Sequence, residues 1–356
     1  DPIRPIQYTV ESEAFQLPTP VRTGYIFLGW TGEGITEPQK TIEIPQGSTG
    51  DRTYTANWQV IEYTIITLLE GGNAGTSQVY FYTVEQTVTL PTPTRTGYTF
   101  LGWTGEGITT PQPNVTIPKG STGDKRYIEN WELTEYNITM DLNGGSGQEK
   151  VVYTITDEDF ELPTPTRNGY EFVGWTGERI TTPQTSVKIP KGSTGNKAYT
   201  ANWKVIRYTI TLVTNGGAVI ASIRYTVEDS VTLPIPPDRP GYEFSGWVLD
   251  GSGQFPSTPM IIPKGSTGDR IYKAEWRVAS YTITYVSHGK AYNWVQYTIN
   301  NQVYFGTPEE DPSYYLPGYT FVGWKIDGVE GTPRSYMLPK GSYGNRTATM
   351  LWEPIP

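Results

Sequence analysis

Apolar and polar residues alternate in short bursts along the whole chain, and the bursts recur. EYTIITL from Glu62, EYNITMDL from Glu135, RYTITLV from Arg207 and SYTITYV from Ser280 are rich in aromatic and β-branched residues at alternate positions. That period of two predicts a strand in each. A turn follows at Gly71-Gly72, Asn143-Gly144-Gly145 and Asn215-Gly216-Gly217, where glycine admits the positive φ of a tight hairpin. VYFYTVE (Val79–Glu85) then reads as a second strand leading into TVTL. The prolines of LPTPTRTGY cannot donate to a ladder and impose an extended edge or a loop. YTFLGW (Tyr98–Trp103) is strand-like, TGEGITTPQPN is too broken for a helix, VTIP is a short strand and KGSTGD a turn. RYIENW (Arg126–Trp131) closes the unit, which is expected to hold about five short strands and at most one short helix.

The pattern is a tandem repeat. Gly-Tyr occurs at Gly24, Gly97, Gly169, Gly241 and Gly318, with spacings of 73, 72, 72 and 77 residues. Five residues on, each is followed by Gly-Trp, at Trp30, Trp103, Trp175, Trp247 and Trp324. A second tryptophan closes each unit, at Trp58, Trp131, Trp203, Trp276 and Trp352, so only Trp294 of the eleven lies off the repeat. IPxGSTG stands at 44–50, 117–123, 189–195 and 262–268, and LPKGSYG at 338–344. The expected organisation is therefore a partial repeat 1 at 1–58, then repeats 2 to 5 at 59–131, 132–203, 204–276 and 277–356. Repeat 1 lacks the opening strand, since its Tyr8-Thr9-Val10 aligns with Tyr82-Thr83-Val84 of the second strand. It is expected to be incomplete or completed by another segment, because an orphan sheet edge invites association.

Four residues separate each closing tryptophan from the next opening tyrosine: QVIE at 59–62, ELTE at 132–135, KVIR at 204–207 and RVAS at 277–280. The second of the four is always aliphatic (Val60, Leu133, Val205, Val278), which predicts a near-continuous strand with a buried anchor rather than a drifting flexible linker. The fold class expected is mainly β, a tandem array of small modules forming an elongated rod. Five globules of this size end to end would reach about 140 Å.

Composition narrows the function classes. Gly is 39 and Pro 29, a density that argues against long helices. There is no Cys, which removes disulfides, thiolate chemistry and Cys-bound zinc, and a single His, His288, which removes histidine clusters. No run of about 18 apolar residues is present, so no helical membrane span is expected. A net charge of −9 disfavours nucleic acid as a partner. The opening DPIRPIQYTV has neither an initiator Met nor a signal peptide, and the chain reads as a piece of something larger that carries neighbouring domains.

Tyr-Thr-Ile-Thr, a Gly-Gly turn, LPTPTRTGYTFLGW and a closing Asn-Trp together resemble the Listeria–Bacteroides repeat. The clearest carriers are Thr94–Trp103, Thr166–Trp175 and Val21–Trp30, with repeat 4 departing as PPDRPGYEFSGW and repeat 5 as DPSYYLPGYTFVGW. The resemblance implies β-grasp-like modules used in tandem in secreted or wall-attached bacterial surface proteins, hence an extracellular location at the cell surface or cell wall. It implies no activity, no catalytic residues and no cofactor.

Candidate chemistry is sparse. The acidic runs Asp157-Glu158-Asp159 and Glu309-Glu310-Asp311, and Asp250, supply carboxylates but read as solvated turns. Asn57, Asn130 and Asn202, just before the closing Trp, are placed as acceptors of an isopeptide bond, yet Glu275 and Leu351 hold that position in repeats 4 and 5. No acidic position recurs as a calcium ligand would. The ten repeat tryptophans read as module core. Repeat 5 adds aromatics that the other copies lack, among them Tyr292, Trp294, Tyr304, Tyr314, Tyr315 and Tyr336. These suit capping, packing on a neighbouring domain, or binding a glycan or host-surface protein. The expected function is a non-catalytic stalk that projects another domain, the alternative being an adhesin or carbohydrate-binding module centred on repeat 5.

Overall fold

The computed structural model describes residues 4–69, 77–308 and 316–356. Among them every regular element is a strand, and no helix is present. The stretch TGEGITTPQPN, which reads as too broken for a helix, holds a strand instead: Ile108–Gln112 folds back on Tyr98–Gly105 around Glu106 and Gly107. The chain divides into two compact units. The first comprises Asp1–Met140, Glu149–Leu162 and Val187–Tyr199; the second comprises Asp141–Gln148, Pro163–Ser186 and Thr200–Pro356.

In the first unit, repeat 2 shows the module plan. Its main sheet runs in the order Ile108–Gln112, Tyr98–Gly105, Lys125–Leu133, Tyr63–Leu69, Gln78–Tyr82. The closing strand Lys125–Leu133 lies at the centre, antiparallel to Tyr98–Gly105 and parallel to the opening strand Tyr63–Leu69. Parallel pairing needs a long crossover, and the rest of the module supplies it. A small second sheet pairs Val88–Thr89 with Thr116–Ile117. Ile65, Tyr82, Leu90, Trp103, Val115, Ile117 and Tyr127 fill the space between the two sheets. Repeat 1 retains only Ile35–Gln39, Tyr25–Gly32 and Thr55–Val60 in its main sheet, with Phe15–Gln16 against Glu43–Ile44.

In the second unit, repeat 4 orders its main sheet Ile223–Tyr225, Tyr208–Val213, Arg270–Val278, Tyr242–Leu249. Repeat 5 follows the same plan with Lys290–Tyr297, Tyr281–Ser287, Arg346–Pro354 and Tyr319–Ile326. Its second strand is eight residues long, against three in repeat 4.

The repeat tryptophans divide into two kinds. Trp30, Trp103, Trp175, Trp247 and Trp324 are 1–6 % exposed, whereas Trp58, Trp131, Trp203, Trp276 and Trp352 are half-buried. A phenylalanine bridges the two edge to face: Phe100 lies 5.4 Å from Trp103 and 5.2 Å from Trp131, ring centre to ring centre. Such T-shaped contacts align the positive ring edge with the negative face of its neighbour.

Candidate functional site

The first two residues of each four-residue connector continue the closing strand. Lys125–Leu133 and Arg270–Val278 run two residues past the closing tryptophan, and the opening strands resume at Tyr136 and Tyr281. The aliphatic residue of each connector is not the anchor. Leu133 and Val278 are each 39 % exposed, and Val60 and Val205 are only half-buried. They fall on the outer face because the strand alternates, and Leu133 and Val278 pair with Tyr98 and Tyr242 of their own repeat.

The anchor is a glycine notch. Gly24, Gly97, Gly169 and Gly241 sit at φ of 78°, 77°, 77° and 84°, in the left-handed region that disfavours a side chain. Each backs onto an aliphatic residue of the next repeat. A Cβ on Gly24 would lie 2.1 Å from Val84, on Gly97 2.6 Å from Ile155, on Gly169 2.5 Å from Val227 and on Gly241 2.3 Å from Ile299. The first two contacts lie within the first unit and the last two within the second. For Gly318, at the same place in repeat 5, no atom of the described residues lies within 4 Å of an added Cβ. The notch residue is itself pinned, since Val84 O accepts from Gly120 N at 2.8 Å and Val227 O from Gly265 N at 2.7 Å. At two junctions a tyrosine hydroxyl also crosses to a glutamate: Tyr25 donates to Glu85, and Tyr170 to Glu228. The bond to Glu85 raises the Tyr25 hydroxyl above its ordinary value, because the carboxylate accepts from the protonated form.

In repeat 5 the structure brings together three of the six candidate aromatics. Tyr292, Trp294 and Tyr304 border one groove of about 360 Å³ floored by Tyr285, Phe305 and Trp324. Trp294 is 64 % exposed and Tyr304 52 %, whereas Tyr292 leans on Tyr285 at 6.1 Å and reaches the Met350 sulfur at 3.8 Å. Tyr336 is not part of this groove and packs on Phe305 beneath. Tyr314 and Tyr315 lie outside the described residues, as do Glu309-Glu310-Asp311 and the Gly71-Gly72 turn.

His288 has a structural partner set. In repeat 3 the third turn residue, Gly145, makes room for Trp203, whose ring would lie 2.5 Å from a Cβ there. In repeats 1 to 4 an arginine (Arg22, Arg95, Arg167, Arg239) covers the tyrosine of the Gly-Tyr pair at 3.6–3.8 Å. Repeat 5 has Leu316 in that position, and His288 instead meets Tyr319 edge-on at 5.7 Å and stacks on Trp352 at 6.1 Å. Its Nδ1 lies 3.0 Å from Ser287 Oγ, which accepts from Trp352 Nε1.

The remaining candidates have structural partners. Asn130 Nδ2 donates to Gly102 O, Thr104 Oγ1 and Ile128 O at 3.0–3.1 Å, and Asn57 and Asn202 repeat the set, so these amides brace the bulge opposite the Gly-Trp pair. Asp157 accepts from Thr154 N at 2.7 Å, Glu158 meets Lys191 at 2.5 Å, Asp159 meets Lys188 at 2.6 Å, and Asp250 meets Lys273 at 2.7 Å. Among the described residues there is no group of three or more His, Asp or Glu placed to hold a metal ion. One buried acid escapes a sequence reading. Glu129 is 5 % exposed on the closing strand of repeat 2, where repeats 1, 3 and 4 carry Ala56, Ala201 and Ala274 and repeat 5 carries Met350. Burial raises its carboxyl above the ordinary value near 4.5, partly offset by a bond from Trp131 Nε1 at 3.2 Å and by the charge of Arg95. The alanine-to-glutamate break in the repeat register is the signal that could have found it.

Comparison with known proteins agrees with this repeating geometry. The Listeria-Bacteroides repeat domain matches five times, at residues 4–57, 63–125, 136–202, 208–267 and 281–340. A protein of Evansella cellulosilytica named as a Gly-rich membrane protein is 27 % identical over 323 residues, 86 % of this chain and 36 % of its own length. A second, named as a membrane protein of the same organism, is 24 % identical over 284 residues, 77 % of this chain and 41 % of its own. Internalin H of Listeria monocytogenes is 31 % identical over 83 residues, 23 % of this chain and 15 % of its own. The chain thus spans about two fifths or less of the relatives it matches. The matched family is a non-catalytic repeat typical of bacterial surface proteins, and no catalytic domain is matched. With five matches that together cover most of its length, each over a module carrying the Gly-Tyr and Gly-Trp landmarks, the chain belongs to the Listeria-Bacteroides repeat domain family.

Proposed function

We propose that the chain is a non-catalytic spacer of a bacterial surface protein, holding another domain away from the cell envelope. The observation that carries this is the glycine notch, repeated at every junction from Gly24 to Gly241. A spacer needs neighbours that resist bending without a large shared core. Backbone-to-side-chain contact at a glycine, two residues between strands and a bond such as that from Ile61 N to Gly24 O at 2.9 Å supply that resistance locally. Its placement at the cell surface or wall and its attachment to further domains belong to the same proposal. Solution X-ray scattering tests it. A spacer of five modules in line gives a radius of gyration near 40 Å, and a compact chain of this length gives about 20 Å. The lower value overturns the proposal.

A second reading, adhesion through a glycan or host-surface protein, is favoured by the groove of Tyr292, Trp294 and Tyr304. Flat exposed rings beside a shallow groove suit stacking on a sugar ring. Glycan binding that is lost on combined Trp294→Ala and Tyr304→Ala exchange, with unfolding unchanged, supports it. Binding that survives both exchanges places the site elsewhere.

A further inference from the structure

We propose that Asn168 is a site of spontaneous deamidation, and that the isoaspartate it yields unlocks one joint of the chain, the one between repeats 3 and 4. The reaction needs an asparagine whose side chain is free to turn onto the next backbone nitrogen. It is fastest when glycine follows, because no Cβ then hinders the approach. The sequence holds three Asn-Gly pairs, at 143–144, 168–169 and 215–216.

Two of the three are held out of reach. Asn143 Nδ2 donates to Ala201 O at 3.3 Å, and Asn143 O accepts from Arg167 Nη1 at 2.9 Å. Asn215 Nδ2 donates to Ala274 O at 2.9 Å, and Asn215 O accepts from Arg239 Nη1 at 3.0 Å. Both residues stand in the left-handed region, at φ of 47° and 49°. Turning either side chain onto the following glycine breaks its bond to the closing strand. Moving the peptide to meet it strains the bond from arginine, whose charge makes that bond the stronger of the two.

Asn168 has neither restraint. It is exposed, and among the described residues its amide makes one hydrogen bond, from Nδ2 to Gly265 O at 3.5 Å, the outer limit of such a bond. Tyr170 N donates to Arg167 O at 3.1 Å and Gly169 stands at φ 77°, so Asn168 and Gly169 are the two central residues of a β-turn. The second central N–H of such a turn takes no part in its hydrogen bond, and that of Gly169 has no partner among the described residues. The attacking nitrogen is therefore not engaged. Threonine stands before the notch glycine in repeats 1 and 2 (Thr23, Thr96) and proline in repeat 4 (Pro240), so the other joints lack the amide.

The step balances with water as the one co-reactant. Gly169 N gives its proton to solvent and bonds to Asn168 Cγ, the Cγ–Nδ2 bond breaks, and ammonia leaves with a proton regained from solvent, closing a succinimide. Water then opens the ring. Addition at Cγ yields aspartate in the original chain, whereas addition at the backbone carbonyl carbon yields isoaspartate, whose main chain runs through Cβ and Cγ. That form lengthens the chain by one carbon–carbon bond, about 1.5 Å, immediately before Gly169. The notch has no slack for it, since a Cβ on Gly169 would already lie 2.5 Å from Val227. The displaced glycine loses its fit on Val227 and the bond that it accepts from Ile206 N, 2.9 Å long in the intact chain. All of these residues lie within the second unit.

Ageing the full chain tests the proposal. The protein is kept warm at pH 8, sampled over weeks and mapped by peptide mass spectrometry, with isoaspartyl and aspartyl forms separated. Conversion at Asn168 is expected to run about tenfold or more faster than at Asn143 and Asn215, and to slow at pH 6, where Gly169 N is less often deprotonated. Hydrogen exchange at the Ile206 amide should speed up about tenfold in the converted chain and stay at its starting value in Asn168→Thr aged alongside, threonine being the residue of repeats 1 and 2. Asn168→Asp, which has the acid without the added bond, should keep Ile206 protected. An Asn168 still intact when Asn143 or Asn215 has converted overturns the proposal, and so do equal rates at the three sites. Isoaspartate at 168 with Ile206 exchange unchanged overturns the unlocking, as does loss of that protection in fresh Asn168→Asp, which would assign the effect to charge.

Discussion

Repeats 1 and 2 carry the same landmarks, but the main sheet has three strands in repeat 1 and five in repeat 2. Trp30 matches Trp103, Trp58 matches Trp131, and Asn57 makes the same three bonds as Asn130. Yet Tyr127 is 4 % exposed in repeat 2 and Tyr54 is half-buried in repeat 1. The half of the module built on the Gly-Tyr strand therefore holds its shape without the opening strand. Burial of the tyrosine layer does not: it depends on one non-local strand whose isoleucine reaches the centre of the core.

The largest test of this comparison is Trp103→Ala, which should destabilise repeat 2 by about 3–5 kcal/mol as a large buried aromatic is lost. Trp30→Ala should cost somewhat less, because residues packed around Trp30, Tyr54 and Ala56 among them, are only half-buried. Local hydrogen exchange in each repeat reads the two values, and equal losses would mean that the half-buried shell of repeat 1 leaves its core intact.

The junction between repeats comes next. Gly97→Ala adds a methyl against Ile155 in a left-handed backbone, whereas Gly318→Ala meets only the backbone strain. The first should cost about 1–3 kcal/mol more than the second, the range for overpacking. It should also uncouple repeats 2 and 3 in a thermal melt, and similar costs would remove the glycine notch as the joint.

A smaller effect separates repeat 2 from its neighbours. Glu129 binds its proton to higher pH when folded than when unfolded, so repeat 2 loses stability as pH rises above about 4.5 toward the raised value. Glu129→Gln should flatten that slope and stabilise repeat 2 at neutral pH by about 1 kcal/mol. Unfolding profiles at pH 4 and pH 8 check the sign, and an unchanged slope would place the titration elsewhere. The slightest change is expected from Glu85→Gln, which should return the Tyr25 hydroxyl toward 10 in an ultraviolet titration while leaving the fold unaltered.

Much of the module was legible beforehand because it is local and repeated. Alternation marked the strands, and Gly-Tyr, Gly-Trp and the closing Trp marked each unit with no alignment. Repeat 5 stood apart through Trp294 alone among the tryptophans. What failed was any inference resting on a face. Leu133 and Val278 look like buried anchors because they are aliphatic at a fixed place, but strand alternation turns them outward. The glycine that does lock the junction is silent in composition, since its role is the space it leaves for Ile155 or Val227.

Strand content, repeat number and the landmarks of each unit follow from residue order and composition, which act over a few neighbours. The parallel pairing of the opening strand with the closing strand joins residues about 60 apart, such as Ile65 and Lys125, and no local period encodes it. For the same reason only the folded chain separates Tyr292, Trp294 and Tyr304 from Tyr336. Period and propensity choose elements; which faces meet is decided by packing between segments distant in the chain.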